Sequence, residues 1–213
     1  LAGMKNEESL ENGTVNKFVK KAQTVIEDNN FGARKNVLKF DKVNNEQREL
    51  IYAERDAILE KADTRSTMVT MIEDSINMVI DKHAPDKKVT DAQYQEIRKE
   101  IEVLVHGIKS PEYEPNMKKK RLSELYINAA KDKYVDRERE WPDINVFREF
   151  ERQIILRCID IKWMQHINDL EILRQNIALV GYGQKDPAIV YKLKAFDMFN
   201  KMSDEIKTDS VYT

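Results

Sequence analysis

Apolar side chains near the start of the chain follow a helical period over a long and unbroken stretch. Residues 16–62 contain no proline, and their only glycine is Gly32. At about 1.5 Å of rise per residue, this stretch predicts one continuous helix of roughly 70 Å. Because such a helix is too long for one small core, the pattern predicts an elongated support for other elements.

The apolar positions of this predicted helix form two groups. They are Phe18, Ala22, Val25 and Ile26 before Gly32, then Val37, Leu38, Phe40, Leu50, Ile51, Ile58 and Leu59 after it. Between them, residues 41–49 are polar on every face except at Val43. A helix that is polar all round typically crosses between domains or lies under another polar surface. We therefore expect this polar belt to face a partner. A solvated coiled-coil segment is the alternative, although strict heptads are missing.

Residues 63–142 predict three shorter helices. Asp63 can cap the first helix, which should end before Pro85. Thr90 and Gln93 form the T-x-x-Q capping box of the second, and Gly107 is its expected C′ residue. The segment is large enough for only a modest core, so it predicts a small three-helix unit beside the long helix.

Residues 146–207 predict a helical hairpin with Tyr182 at its tip. The first helix carries two apolar stripes, which indicates that it is covered from two sides. The stripes are Phe147, Phe150, Ile154, Cys158 and Ile161, then Ile155, Ile159, Trp163, His166, Leu170, Leu173 and Ile177. Asp186 and Pro187 suit the N-cap and N1 positions of the second helix. Its expected apolar face is Val190, Leu193, Phe196, Phe199, Met202 and Ile206. We expect the hairpin to lie along the long helix.

Composition favours an all-α, elongated molecule. Hydrophobic residues make up 41% and charged residues 35% of the 213 positions, with only 6 glycines and 5 prolines. A net charge of −2 gives no general attraction to nucleic acid or to anionic lipid. A single cysteine and the lack of a signal-like start indicate a cytoplasmic setting. No apolar run approaches the ~20 residues of a membrane span, and the start without methionine indicates a fragment.

Catalytic and metal-binding patterns are missing from the sequence. There is no G-x-x-x-x-G-K-[ST] loop for phosphate, and three scattered histidines with one cysteine make a zinc site improbable. His166 and Cys158 lie on apolar stripes, where packing roles are favoured over a ligand or a nucleophile. The run at residues 118–121, KKKR, is more typical of a solvated face than of a nucleic-acid site. The acidic pair of Glu138 and Glu140 has no pocket around it.

Two long segments resemble the SecA family, the ATP-driven motors of bacterial protein export. The segment KAQTVIEDNNFGARKNVLKFDKVNNEQRELIYAER resembles the long helix of the family's helical scaffold domain. The segment DIKWMQHINDLEILRQNIALVGYGQKDPAIVYKLKAFDMF resembles its two-helix finger. The resemblance implies scaffold in residues 1–62, helical wing in 63–145, and returning scaffold with the finger in 146–213. ATP, magnesium and the motor domains would then belong to a longer parent chain, with no cofactor held here.

The resemblance also implies roles for particular side chains. The family positions that face the motor correspond to Arg34, Asp41, Gln47 and Arg48. The fingertip that contacts the translocating preprotein corresponds to Gly181, Tyr182, Gly183, Gln184 and Lys185. Structural roles fall to Trp163, His166, Asp186 and Pro187. The chain departs from the family pattern at Lys42, Asn176 and Val180, which fits an accessory member with altered motor or channel contacts.

Two functions follow as expectations. In the first, the chain transmits ATPase-driven movement to preprotein at the SecYEG channel, on the inner face of the cell membrane, and is not itself an enzyme. Homodimer formation stays open, and neither nucleic acid nor a transmembrane segment is involved. In the second, the chain is a stand-alone helical adaptor without a motor.

Overall fold

The protein is an assembly of helices. A computed structural model describes residues 13–60, 63–180 and 186–212. The helices are α1 (Gly13–Glu60), α2 (Thr64–His83), α3 (Asp91–Leu104), α4 (Lys119–Arg139), α5 (Ile144–Val180) and α6 (Pro187–Tyr212). Within the described ranges no strand forms, and the one β-bridge pairs Lys88 with Lys118. The predicted all-α class is confirmed.

The long helix is continuous. α1 has 48 residues, which at about 1.5 Å per residue gives a length of roughly 72 Å. Its C-terminal half is held by burial of Phe40, Ile51 and Ile58, whereas Phe18 and Phe31 in the other half are 70% and 63% exposed. The predicted support is therefore present, and the described residues cover it along only part of its length.

Local capping chemistry places the shorter helices. The Asp63 carboxylate accepts hydrogen bonds from the amides of Arg65 and Ser66, 3.1 and 3.3 Å away, and begins α2. Thr90 caps α3 in a capping box with Gln93. Gly107 has φ +74° but lies two residues beyond the C-cap Val105. Gly107 therefore occupies the C″ position, one residue beyond the predicted C′ position, and lies in the turn after α3.

The main hydrophobic core joins the six helices found among the described residues. Its buried members include Ile58 of α1, Ile76 of α2, Ile101 of α3 and Tyr126 of α4, together with residues of α5 and α6. The three shorter helices therefore share this core with the rest of the chain, because α2 packs against α6 as well as against α3 and α4. The division into residues 1–62, 63–145 and 146–213 stays a prediction. A second core lies nearer the hairpin loop and consists of Phe40, Leu170, Leu173, Ile177, Ala188, Tyr191 and Ala195.

Each hairpin helix buries one face. The second predicted stripe of α5, from Ile155 to Ile177, is buried throughout, but Phe150 and Ile161 of the first are 44% and 48% exposed. The expected cover on a second side of α5 is therefore only partial, since Phe147 is buried and Ile154 and Cys158 are half-buried.

The buried face of α6 also differs from the prediction. Tyr191 and Ala195 have no exposed surface, while Leu193 and Phe196 are 62% and 60% exposed. The small side chains of Ala188 and Ala195 let neighbouring helices approach α6 closely. The close packing gained on this face outweighs the transfer free energy that burial of Leu193 and Phe196 would contribute.

Candidate functional site

The candidate site is the contact between α1 and the hairpin formed by α5 and α6. At its centre lies Gln47, which is 6% exposed. Its Nε2 donates to the backbone carbonyl of Ala195 at 2.9 Å. Its Oε1 lies 2.9 Å from Nε2 of His166, so that ring nitrogen must be the donor. One glutamine of α1 thus joins both helices of the hairpin.

His166 is suited to this contact because it stays neutral. Burial lowers the pKa of His166, and the negative charge of Asp169 opposes that shift only in part. The ring packs against Trp163 and Phe199, with centroids 5.7 and 5.8 Å away. The buried amide oxygen of Gln47 needs a hydrogen-bond donor. The neutral ring of His166, which packs among aromatic side chains, supplies one N–H.

A second contact lies closer to the hairpin loop. The rings of Phe40 and Tyr191 have centroids 4.5 Å apart, and the Tyr191 hydroxyl donates to Oδ1 of Asn44 at 2.6 Å. Burial raises the pKa of Tyr191, so its hydroxyl keeps its proton. Phe40, Asn44 and Gln47 are spaced by four and three residues, which places them on one face of α1.

Exposed ion pairs flank these buried contacts. Lys39 lies 3.1 Å from Asp186, and Arg55 lies 3.0 Å from Asp160. The Asp186 carboxylate also accepts from the amide of Ala188 at 2.9 Å, which is the predicted N-cap geometry. The Ala188 amide and then Lys39 lower the pKa of Asp186. Such solvated pairs contribute little stability. They nevertheless join α1 to the hairpin in the same relative alignment as the buried contacts do.

The four predicted motor-contact residues do not share one environment. Arg34 and Arg48 are exposed, and Asp41 is partly buried with one carboxylate oxygen 3.7 Å from Arg174. Gln47 is buried, and both its amide nitrogen and its amide oxygen are hydrogen-bonded within this chain; its assignment as a motor contact stays a prediction. The predicted fingertip, residues 181–185 with Tyr182, lies outside the described residues.

Sequence reasoning missed a second polar cluster, which joins α2, α4 and α5. The Glu151 carboxylate has a side chain only 3% exposed and lies 2.8 Å from Arg148. It accepts from Thr64 at 3.1 Å and from Tyr134 at 2.5 Å. Arg148 also pairs with Glu138. Glu151 follows Phe147 by four residues and precedes Ile155 by four, so its place on a buried stripe was visible in the sequence.

Burial and hydrogen bonding to Glu151 raise the pKa of Tyr134, which keeps its hydroxyl a donor. The guanidinium of Arg148 lies over the rings of Phe147 and Tyr134, 5.4 and 5.9 Å from their centroids. This cluster joins α2 and α4 to the hairpin near the N-terminal end of α5.

Cys158 is half-buried, and burial raises the pKa of its thiol. A protonated thiol is a poor nucleophile, which agrees with a packing role. Among the described residues, every helix is too short or too polar to span a lipid bilayer.

Comparison with known proteins identifies the family. The model of the SecA Wing and Scaffold domain matches residues 9–213. The protein translocase subunit SecA of Finegoldia magna is 38% identical over 206 residues, which are 96% of this chain and 23% of the relative. Those of Lachnoclostridium phytofermentans and Caldicellulosiruptor saccharolyticus are 38% and 33% identical, each over 98% of this chain and 25% of theirs. The chain spans about a quarter of these relatives' length, and it belongs to the SecA wing and scaffold family.

Proposed function

We propose that this chain is the mechanical coupling part of a protein-export translocase. In this role α1 receives movement from ATP-hydrolysing domains and passes it to the hairpin, which acts on preprotein at the SecYEG channel. ATP and its magnesium ion would bind outside this chain. The work would take place at the cytoplasmic face of the membrane.

The observation that carries the proposal is the buried contact of Gln47 with both hairpin helices. A hydrogen bond weakens steeply when its donor and acceptor lose alignment, and unpaired buried groups each cost about 1–3 kcal/mol. Rotation or sliding of α1 would unpair the His166 donor and the Ala195 acceptor together. Movement of α1 is therefore most easily accommodated when the hairpin moves with it.

One flank of α1, beside the contact with the hairpin, supports a partner, since Arg34, Asp41 and Arg48 are spaced by seven residues and lie in one row. Arg34 and Arg48 are exposed, and the family resemblance assigns them, with Asp41, to the face toward the motor. Tyr182 at the fingertip would contact the moving polypeptide, since an aromatic ring with a polar end suits varied sequences.

The test is a chimera in which this chain replaces the matching quarter of the Finegoldia magna relative. Preprotein transport into SecYEG vesicles and ATP hydrolysis are measured together. Gln47→Leu keeps the approximate volume of the side chain but removes both hydrogen bonds. We expect transport to fall at least tenfold while ATP hydrolysis continues, because the motor is intact and its coupling to the hairpin is loosened.

Gln165→Leu is the matched control, since Gln165 is an exposed glutamine of α5 next to His166. It should transport at the rate of the unsubstituted chimera. If Gln47→Leu transports equally well, the coupling contact is wrong. If the unsubstituted chimera folds and hydrolyses ATP but transports nothing, the translocase role itself fails and the adaptor alternative takes its place.

A further inference from the structure

The three shorter helices, α2–α4, are attached to the hairpin at two separate places. At the first, the Thr64 hydroxyl at the start of α2 lies 3.1 Å from Oε2 of Glu151 and 3.3 Å from the backbone carbonyl of Arg148. Tyr134 of α4 donates to the other oxygen of the same carboxylate at 2.5 Å. One carboxylate of α5 thus binds α2 and α4 together.

Glu138 completes this first attachment from the C-terminal part of α4. It pairs with Arg148 of α5, and Nε of Arg65, in the first turn of α2, lies 3.0 Å from its Oε1. The side chains of Glu138, Arg148 and Glu151 are 11%, 16% and 3% exposed. Loss of a charged partner at such depth is strongly unfavourable. Rotation of α2 and α4 away from α5 is therefore opposed by several buried charges at once.

The second attachment lies ten residues further along α2 and involves the other hairpin helix. Nζ of Lys207, near the end of α6, donates to Oδ2 of Asp74 at 2.8 Å. In the same part of the two helices, Ile76 of α2 and Met202 and Ile206 of α6 are buried in the main core. Because the two attachments are about 15 Å apart along α2, neither can act as a hinge while the other holds.

The long helix is bound to the hairpin and not to these three helices. Among residues 13–60, 63–180 and 186–212, the hydrogen bonds and ion pairs between α1 and other helices all run to the hairpin. On α1 they involve Lys39, Asp41, Asn44, Gln47 and Arg55. The helices that pack most closely on α1 are likewise α5 and α6. Apart from the chain connection at residues 61–62, movement of α1 therefore reaches α2–α4 chiefly through the hairpin.

The contact at Gln47 lies near the middle of the hairpin. On α5, Glu151 precedes His166 by 15 residues, which is about 22 Å along the helix. The end of α5 at Val180 follows His166 by 14 residues, or about 21 Å. The three shorter helices are thus attached to one end of the hairpin, and α1 binds it halfway to the other end.

We propose, on the basis of the coupling role above, that α2–α6 form one rigid unit, which α1 moves at Gln47. When α1 displaces the hairpin, α2–α4 are carried with it. Conversely, a molecule that holds α2–α4 in place also restrains the hairpin, without contact to α1. The surface of α2–α4 is therefore a place from which movement of the hairpin can be regulated.

The experiment measures three distances in the full chain by double electron–electron resonance. Nitroxide labels are attached in pairs to Phe31→Cys on α1, Val103→Cys on α3 and Ile189→Cys on α6, all at exposed positions. Cys158→Ala first removes the native cysteine. Gln47→Leu then loosens α1 against the hairpin. The two distance distributions that include position 31 should broaden about 1.5-fold, since local contacts limit local motion, while the distribution between 103 and 189 keeps its width.

A second variant loosens the unit itself. Glu151→Gln and Asp74→Asn together remove one carboxylate charge from each attachment and keep the size of both side chains. Arg148 and Lys207 each lose a charged partner. The distribution between positions 103 and 189 should therefore broaden about twofold.

Each variant has a matched control at exposed positions of the hairpin. Gln165→Leu is the control for Gln47→Leu, and Glu149→Gln with Asp197→Asn is the control for the double variant. Both controls should leave the three widths unchanged. Circular dichroism checks that every variant is folded.

Broader distances from position 31 at a constant width between 103 and 189, with broadening of the latter in the double variant, support the rigid unit. The proposal is overturned if Gln47→Leu broadens the distance between 103 and 189 as much as the other two, if it broadens none of them, or if the double variant leaves that width unchanged. These distances are measured without transport, so a failure of the translocase role in the chimera is a separate result.

Discussion

The hydroxyl of Tyr191 on α6 donates to Oδ1 of Asn44 on α1 at 2.6 Å, across the contact between the long helix and the hairpin. Tyr191→Phe removes this hydrogen bond and keeps the ring against Phe40. We expect the free energy of unfolding to fall by about 1 kcal/mol, since Asn44 is only partly buried and can bind water instead. Urea denaturation measures this. The exposed Tyr212→Phe should change stability by less than about 0.5 kcal/mol, and equal losses would contradict the assignment.

Trp163 packs on the α1-facing side of α5 and is 8% exposed. Trp163→Ala should lower the free energy of unfolding by about 3–5 kcal/mol, because it removes a large buried side chain and leaves a cavity. Tyr182→Ala, at the expected fingertip, should leave stability nearly unchanged and impair transport in the chimera. If Tyr182→Ala unfolds the chain, the fingertip assignment is wrong.

Glu151 holds Arg148, Thr64 and Tyr134 together where the shorter helices meet the hairpin. Glu151→Ala should destabilise the fold by about 3–5 kcal/mol, because it leaves a largely buried arginine without one of its carboxylate partners. Guanidinium denaturation measures the loss. Glu149→Ala removes a solvated carboxylate two residues away and should have little effect. A small loss at position 151 would mean that Glu138 alone satisfies Arg148.

Stability should depend on pH through His166. Burial lowers its pKa in the folded chain below the ordinary value of 6.5. Just below that pH the unfolded chain binds a proton that the folded chain does not, so stability is full above about pH 6.5 and falls as the pH drops. His166→Gln keeps an N–H donor for Gln47 without titrating. The free energy of unfolding of this variant should fall less steeply between about pH 7 and pH 5 than that of the unsubstituted chain. Parallel pH profiles of the two proteins would show that His166 does not contribute.

The chain on its own should not bind ATP, because its sequence contains no phosphate-binding glycine-rich loop. Isothermal titration calorimetry with ATP and magnesium should give no measurable heat of binding. Micromolar affinity would contradict the view that nucleotide chemistry lies outside this chain.

Local signals in the sequence predicted much of this fold. The absence of proline predicted the continuity of α1, and the caps at Asp63, Thr90 and Asp186 predicted where three helices begin. These features depend on residues close together in sequence. A helix period or a cap is set by neighbours within one turn, so one sequence is enough to find it.

The partners of polar residues could not be predicted in the same way. Gln47 lies in a polar stretch, which favoured exposure, but its burial depends on a histidine 119 residues away and on a carbonyl 148 residues away. The buried face of α6 was missed for a similar reason. Ala195 is buried because α1 approaches closely there, and hydrophobicity alone favours Phe196.

The bond from Gln47 to Ala195 uses a backbone acceptor, so substitution at position 195 cannot remove it and is limited mainly by side-chain size. A shift of α6 by one residue would turn its side chains by about 100° about the helix axis and present a different carbonyl. Alignment of the hairpin with α1 is therefore set by main-chain geometry. The outward side chains of α6, including Leu193 and Phe196, are free to diverge between related proteins while that alignment is kept.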